Sequence, residues 1–383
     1  MDAASVEQIR MVQNRAEKAF RKRFHDPERD FYAYAFSPDG DHIKETSPWN
    51  CVAFTFDVGE ESVIRQSLRR MIGASLLTDW GVRSISNESA HFSPLNYNYG
   101  AVWPFLNSWI SCALFRHGYP QQGYTVLKAT AGQTFRGQLG AIHEVFSGSL
   151  HAWPQESVSH QGFSTAGAVL PTVRGLLGLD GSADTLAFVP RFPEDWERVE
   201  VHNHILGETS YDLTWTRDGD QQIVRILPDG NRTVTAVVEL PLSGGLKGEV
   251  AISGAELTRQ EVFGGHGEER IRLAFPVQGD EPVRIAVSSH PTVQVLPVIN
   301  DSELGDRNRG LKLLTVERKG TTIRIDVEGL AGQEYRLGIT HPELVVRVQG
   351  ARLYDDGSLE VTMPTGDAGQ FVEWGLTVHV EQW

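Results

Sequence analysis

The chain has 383 residues, 35 of them Lys or Arg and 49 Asp or Glu, for a formal net charge of -14; 40% are hydrophobic and 22% charged. That balance excludes a disordered, collagenous or coiled-coil chain, and the length predicts two or three domains. The negative charge argues against nucleic acid and anionic membranes as partners and suits neutral substrates.

The N-terminus, MDAASVEQIR, has neither a basic n-region nor an apolar h-region, and no apolar run reaches about 18 residues. A soluble chain, with a cytoplasmic location favoured, is the expectation. Ser5 and Gln8 then form a capping-box pattern, and Ile9, Val12, Ala16, Phe20 and Phe24 share one helical face, predicting a helix with one buried stripe. Cys51 and Cys112 are too few for a disulfide framework, and no Cys/His spacing suggests zinc. Further helices are predicted over Trp49–Val58, from Glu60 to about Leu77, over Ala101–His117, from Gln121 to about Phe135, and over Phe163–Leu177. Apolar and amphipathic helices alternate, as inner and outer helices would.

Near residue 180 the hydrophobic period changes from helical spacing to alternation, which continues to the C-terminus. Short strands are predicted from Leu186–Val189 to Val283–Val287, separated by turn signals such as Asp218-Gly219 and Asp229-Gly230. Gln294–Arg309 reads as a linker into a second β module. The expected organisation is therefore an α+β multidomain chain: a helical unit at 1–183, a β-sandwich at 184–295 and a second sandwich-like module at 296–383.

Three loop regions of the helical part combine acids, aromatics and glycines: Thr78–Ser86, Asn96–Pro104, and Ile142–Gly148 with Trp153 and His160–Ser164. Aromatic faces stack on sugar CH groups, and Asp, Asn, Gln and Arg bind hydroxyls through directed hydrogen bonds. The candidate sugar-binding residues are Asp79, Trp80, Arg83, Tyr97, Asn98, Trp103, His143, His160 and Gln161, with Glu144 as the candidate catalytic carboxylate.

In order, the segments DWGVRSIS, NYNYGAVWP, HEVFSG, HQGFSTAG and LAFVPRFPEDW resemble the C-terminal half of the amylo-α-1,6-glucosidase and glycogen-debranching group of six-hairpin glycosidases. The resemblance covers about residues 1–215. It implies an (α/α)6 toroid that binds α-linked glucan or oligosaccharide at its mouth and hydrolyses it with inversion, one carboxylic acid and one carboxylate standing about 6.5–9.5 Å apart. Glu144 matches the family's general base, and no metal or cofactor is implied.

The chain departs from the pattern where Asn98 stands for the family's His and Ala101 for its Ser. It also lacks the upstream Trp-Lys-Asp-like segment that carries the family's acid. About six helices make half of a twelve-helix toroid. Two expectations follow: a partial catalytic domain completed by a second chain or a missing N-terminal segment, or a non-catalytic carbohydrate-binding protein with half a site. A phosphorylase or lyase on the same toroid also stays open.

Overall fold

The computed structural model describes residues 3–154, 156–182, 184–230, 232–265 and 268–381. It is a multidomain α+β protein in which sheet outweighs helix. The helical part runs α1 (Ala3–Arg23), α2 (Cys51–Thr55), α3 (Glu61–Met71), α4 (Pro104–Arg116), α5 (Pro120–Ala131) and α6 (Gly162–Leu170).

The apolar α4 buries Leu106, Ile110, Ala113 and Leu114 and packs against α2, α5 and α6. Pro104, at the start of α4, needs no hydrogen-bond partner there because the first amides of a helix have none. Two predicted helices are shorter than their patterns. The segment Trp49–Val58 is a 3-10 turn at Pro48–Asn50 followed by the single turn or so of α2. The helix predicted over Phe163–Leu177 is α6 followed by a π turn at Pro171–Leu176. Pro171 has no N–H to give to the carbonyl four residues back, and the wider turn absorbs that lost bond.

The stripe predicted on α1 is buried only at its C-terminal end. Phe20 meets Tyr32 at 4.7 Å and Phe24 at 5.0 Å, whereas Ile9 and Val12 are exposed, like every residue from 7 to 16.

The first β unit has two five-stranded sheets. One contains β1 (Leu179–Ser182), β2 (Thr185–Phe188), β6 (Val234–Pro241), β8 (Arg259–Gly265) and β9 (Glu268–Val277), in the order β8-β9-β6-β2-β1. The other contains β3 (Arg198–Leu206), β4 (Thr209–Asp218), β5 (Gln221–Asp229), β7 (Ala251–Ser253) and β10 (Val283–Ser288), in the order β7-β10-β5-β4-β3. Pairing is antiparallel except between β2 and β6.

Alternation sends Leu213 and Trp215 of β4, Val224 and Ile226 of β5, and Ala236 and Val238 of β6 into one core. That core also takes Phe115, Leu127 and Leu176 from the helical part, and β1 begins before residue 184, so sheet and helices share an interior. Gly178 turns the chain between them at φ +60°, where a Cβ would lie 1.9 Å from the Val189 carbonyl oxygen; only glycine fits.

The last unit pairs β11 (Lys312–Lys319), β12 (Thr322–Leu330), β17 (Phe371–Val380) and β14 (Val345–Gln349) in that order, opposite β13 (Glu334–Gly338), β16 (Ser358–Thr362) and β15 (Arg352–Leu353). Ile325, Val327, Leu359, Val361 and Val378 fill its core. The linker is a packed strap: Thr125 of α5 donates to the Val298 carbonyl, and Asn308 donates to Leu77 O at 3.3 Å. Among the described residues no helix is long and apolar enough to cross a membrane.

Candidate functional site

Backbone pairing draws the three motif loops together. Val102 bridges both Arg83 and Phe146. Its N–H donates to Phe146 O at 2.8 Å and its carbonyl accepts from Phe146 N–H at 2.9 Å, while Ser84 N–H donates to Ala101 O at 2.9 Å. Gly148 lies so close to the second loop that a Cβ would sit 2.1 Å from Gly100 O.

Trp80 and Arg83 fasten these loops from beneath. Trp80 is fully buried, stacked 5.4 Å from His151, and its Nε1–H donates to Ser147 O at 2.8 Å. Arg83 donates from Nε to Gly148 O at 2.6 Å and from Nη1 to Ala74 O at 2.7 Å. Burial pulls its guanidinium down to about 10. Asp79 is buried elsewhere: its carboxylate accepts from the N–H groups of Arg309 and Gly310 and pairs with Lys312 of β11. The cation that pairs with Asp79 is 233 residues away in sequence, although Arg83 lies only four residues on. Asp79, Trp80 and Arg83 are thus buried and spent largely on holding the loops.

Glu144 lies at the meeting point of the second and third loops and is 9% exposed. Its N–H donates to Val158 O at 2.9 Å, which fixes the backbone. Its Oε1 accepts from Tyr97 O–H at 2.6 Å and from Gln161 Nε2 at 3.3 Å. Both donors converge on one oxygen, which leaves Oε2 as the atom available for proton transfer. Burial, followed by the bond to Glu144, pushes the Tyr97 phenol up to about 12, so it remains a donor at neutral pH.

The aromatic wall beside Glu144 is built from Trp103, whose Nε1 donates to Tyr97 O at 2.8 Å and whose ring lies 4.3 Å from that of Tyr97. Phe163 and Trp49 flank Trp103 at 6.5 and 6.4 Å. Asn98 and His160, next to Tyr97 and Gln161 in sequence, are exposed. His143 stacks on Trp153 at 3.9 Å, and its buried Nδ1 lacks a hydrogen-bond partner among the described residues. Burial holds its imidazole below the ordinary histidine value.

The structure therefore gathers Glu144, Tyr97, Trp103 and Gln161, sets Asn98 and His160 nearby in solvent, and places Asp79, Trp80, Arg83 and His143 in the supporting framework. Sequence reasoning did not select Phe163, Trp49 or His151. Phe163 lies inside a motif already quoted, where it reads as a helix start, and His151 carries no local signal. Among the described residues, one cluster has metal-ligand types, Asp57, Glu61 and His117, with ligand atoms within 4.8 Å of one another. His117 faces Glu61 at 2.9 Å on one nitrogen and Phe54 O at 2.9 Å on the other, the arrangement of an ion pair.

Residues 1–161, somewhat less than half of the chain, match the family model of the mannosylglycerate hydrolase MGH1-like glycoside hydrolase domain. No curated protein matches the chain. Among solved structures, a sialidase aligns at 13% identity with a TM-score of 0.50, over 59% of this chain and 23% of its own. An α-L-rhamnosidase from Dictyoglumus thermophilum aligns at 13% identity and TM-score 0.42, over 75% of this chain and 29% of its own. A GH63 mannosylglycerate hydrolase from Thermus thermophilus aligns at 15% identity and TM-score 0.31, over 38% of this chain and 34% of its own. The chain thus spans about a quarter to a third of the length of these structures, and at such identities the likeness concerns fold alone. The family match supports a glycosidase of the six-hairpin group in general. It does not single out the amylo-α-1,6-glucosidases that the motifs suggested.

Proposed function

We propose that this chain carries part of the site of an inverting glycosidase, with Glu144 as general base and a carbohydrate as substrate. The helical part, 1–183, would form half of an (α/α)6 toroid, followed by β modules at 184–295 and 296–383. The observation that carries the reading is the Glu144 carboxylate held by two neutral donors, Tyr97 and Gln161, beside the aromatic wall of Trp103. In the reaction Oε2 removes a proton from a water as that water attacks the anomeric carbon, and the glycosidic bond breaks on the opposite side. The leaving oxygen needs its proton from a second carboxylic acid about 6.5–9.5 Å away. Trp103 and Tyr97 would stack on the sugar, with Asn98, His160 and Gln161 binding hydroxyls.

The substrate is an α-linked glycoside. Maltooligosaccharide follows from the motif resemblance and mannosylglycerate from the name of the matching family. The second reading, sugar binding without turnover, is favoured by one feature of the sequence: it contains no Trp-Lys-Asp-like segment to supply the second carboxylic acid.

The test is hydrolysis and binding of both sugars by the wild-type chain and by Glu144→Gln. Loss of turnover with binding intact supports the catalytic reading, and full turnover in the variant removes Glu144 from the mechanism. A wild-type chain that binds sugar but never cleaves it leaves the binding reading in place.

A further inference from the structure

An unpartnered apolar face runs from α1 toward the aromatic wall beside Glu144, and its α1 end takes no part in the sugar chemistry. It starts on α1, where Ile9, Val12 and Ala16 share one side of the helix and Ile9 and Val12 are about half exposed. Next comes a groove of about 380 Å³ whose apolar lining is Ala16, Ala19, Phe20, Phe24 and Val58, its one acidic residue, Glu17, being paired with Arg21. Beyond it stands Phe56, 64% exposed, from which ring contacts run through Trp109, Phe105, Phe163 and Trp103 to Tyr97, each step between 4.3 and 6.5 Å. Isolated apolar residues on a surface are ordinary, but a stripe, a groove and an aromatic series running together mark an interaction face.

Charge indicates what covers it. The whole chain is strongly acidic, yet α1 carries six basic residues against two acidic ones. Arg21 is held by Glu17 and Glu60, whereas Arg10, Arg15, Lys18 and Lys22 are exposed and form no ion pair among the described residues. An exposed apolar stripe about three turns long, flanked by free cations and leading into a groove, has the shape and charge to receive one occupant: an amphipathic helix with an apolar stripe and acidic flanks.

We propose that this face docks an acidic amphipathic helix of a partner polypeptide, its apolar side chains entering the groove between α1 and Val58 and its carboxylates meeting Arg10, Arg15 and Lys22. The burial of apolar side chains supplies most of the affinity, and the charges select the partner. The docking itself does not depend on Glu144 being catalytic.

The test uses the whole chain and two labelled synthetic helices of about 20 residues, with the same leucine stripe and either glutamate or lysine flanks, read by fluorescence anisotropy. The glutamate helix should bind at least about tenfold more tightly than the lysine helix, and the preference should shrink as salt is raised. Ile9→Glu/Val12→Glu, whose positions are exposed and whose helicity circular dichroism checks, should weaken binding of the glutamate helix about tenfold or more. Arg10→Glu/Arg15→Glu should reverse the preference, an outcome that unfolding cannot imitate. Glu144→Gln should bind both helices like the wild type, which separates a failure here from a failure of the hydrolytic reading. Equal binding of the two helices, or none, overturns the proposal. So does dimerisation of the chain through this face, or binding to anionic phosphatidylserine vesicles in place of the peptide.

Discussion

Asp79 and Lys312, 233 residues apart, form an ion pair whose side chains are 3% and 1% exposed. Burial pushes the Asp79 carboxyl upward, but Lys312 and the backbone N–H groups of Arg309 and Gly310 outweigh it, so its pKa lies below the ordinary aspartate value. The pair joins the first motif loop to β11 and docks the last β unit on the helical part. Lys312→Met should cost about 3–5 kcal/mol, because it leaves a buried carboxylate without its cation. Asp79→Asn/Lys312→Met should recover most of that loss, since the amide oxygen can still accept a backbone bond. Urea midpoints of the two variants decide it. Because the folded-state pKa is depressed, the stabilisation is fully present above the unfolded value of about 3.9 and is lost as pH falls through the folded one.

A second pH dependence comes from histidine. Burial holds His143, His151 and His204 below the ordinary histidine value, with Arg136 adding to the effect at His151. At His151 the Gln133 side-chain oxygen at 2.9 Å fixes the proton on Nε2, so Nδ1 accepts from Ser302 Oγ. Below about pH 6.5 the unfolded chain takes up protons that the folded chain refuses, so stability falls as pH falls toward the folded values. Each such histidine contributes at most about 1.4 kcal/mol per pH unit. His151→Gln should flatten the slope of thermal midpoint against pH between about 6.5 and 5; an unchanged slope would remove His151 from the account.

Much of this architecture is legible in the sequence, and the part that is not has a common cause. Helix and strand patterns follow local periodicity, so α3, α4 and the strands around Trp215 and Val238 stand close to where alternation and 3.6-residue spacing put them. The roles of the motif residues depend on distant partners. Asp79 has the cation Arg83 only four residues on, but its carboxylate meets Lys312, and nothing near Asp79 in sequence announces it. Trp80 has the composition of a sugar platform, and only its complete burial, stacked on His151 with its Nε1–H donating to Ser147 O, shows that no face is open. The contact between Tyr97 and Glu144, 47 residues apart, is likewise a product of the Val102–Phe146 bridge.

Tyr97→Phe tests the carboxylate directly. Hydrogen bonds to a charged group contribute about 1.5–3 kcal/mol, and about 1.4 kcal/mol is a tenfold change in rate. Removing the phenol donor at 2.6 Å, which holds the Glu144 carboxylate in place, should therefore lower the rate of hydrolysis about tenfold to a hundredfold. The aromatic face survives, so sugar affinity at neutral pH should change little. An unchanged rate of hydrolysis would assign Tyr97 to packing alone.

The close approach of the second and third loops yields the last prediction. A Cβ at Gly148 would lie 2.1 Å from Gly100 O and 3.3 Å from the Phe92 ring, and the nearer atom is backbone, which cannot rotate aside as a side chain could. Gly148→Ala must therefore push the loop carrying Tyr97 away from the loop carrying Glu144, at a cost of about 1–3 kcal/mol. Gly132 is the control: its Cβ would meet nothing within 4 Å and its backbone needs no positive φ, so Gly132→Ala should be neutral or slightly stabilising. If the strain is local to the loops, Gly148→Ala should also weaken sugar binding, because Tyr97 and Glu144 lose their 2.6 Å contact, while Gly132→Ala leaves binding unchanged. Thermal midpoints and sugar titrations on the two variants separate these outcomes, and equal behaviour of both would show that the loops tolerate the displacement.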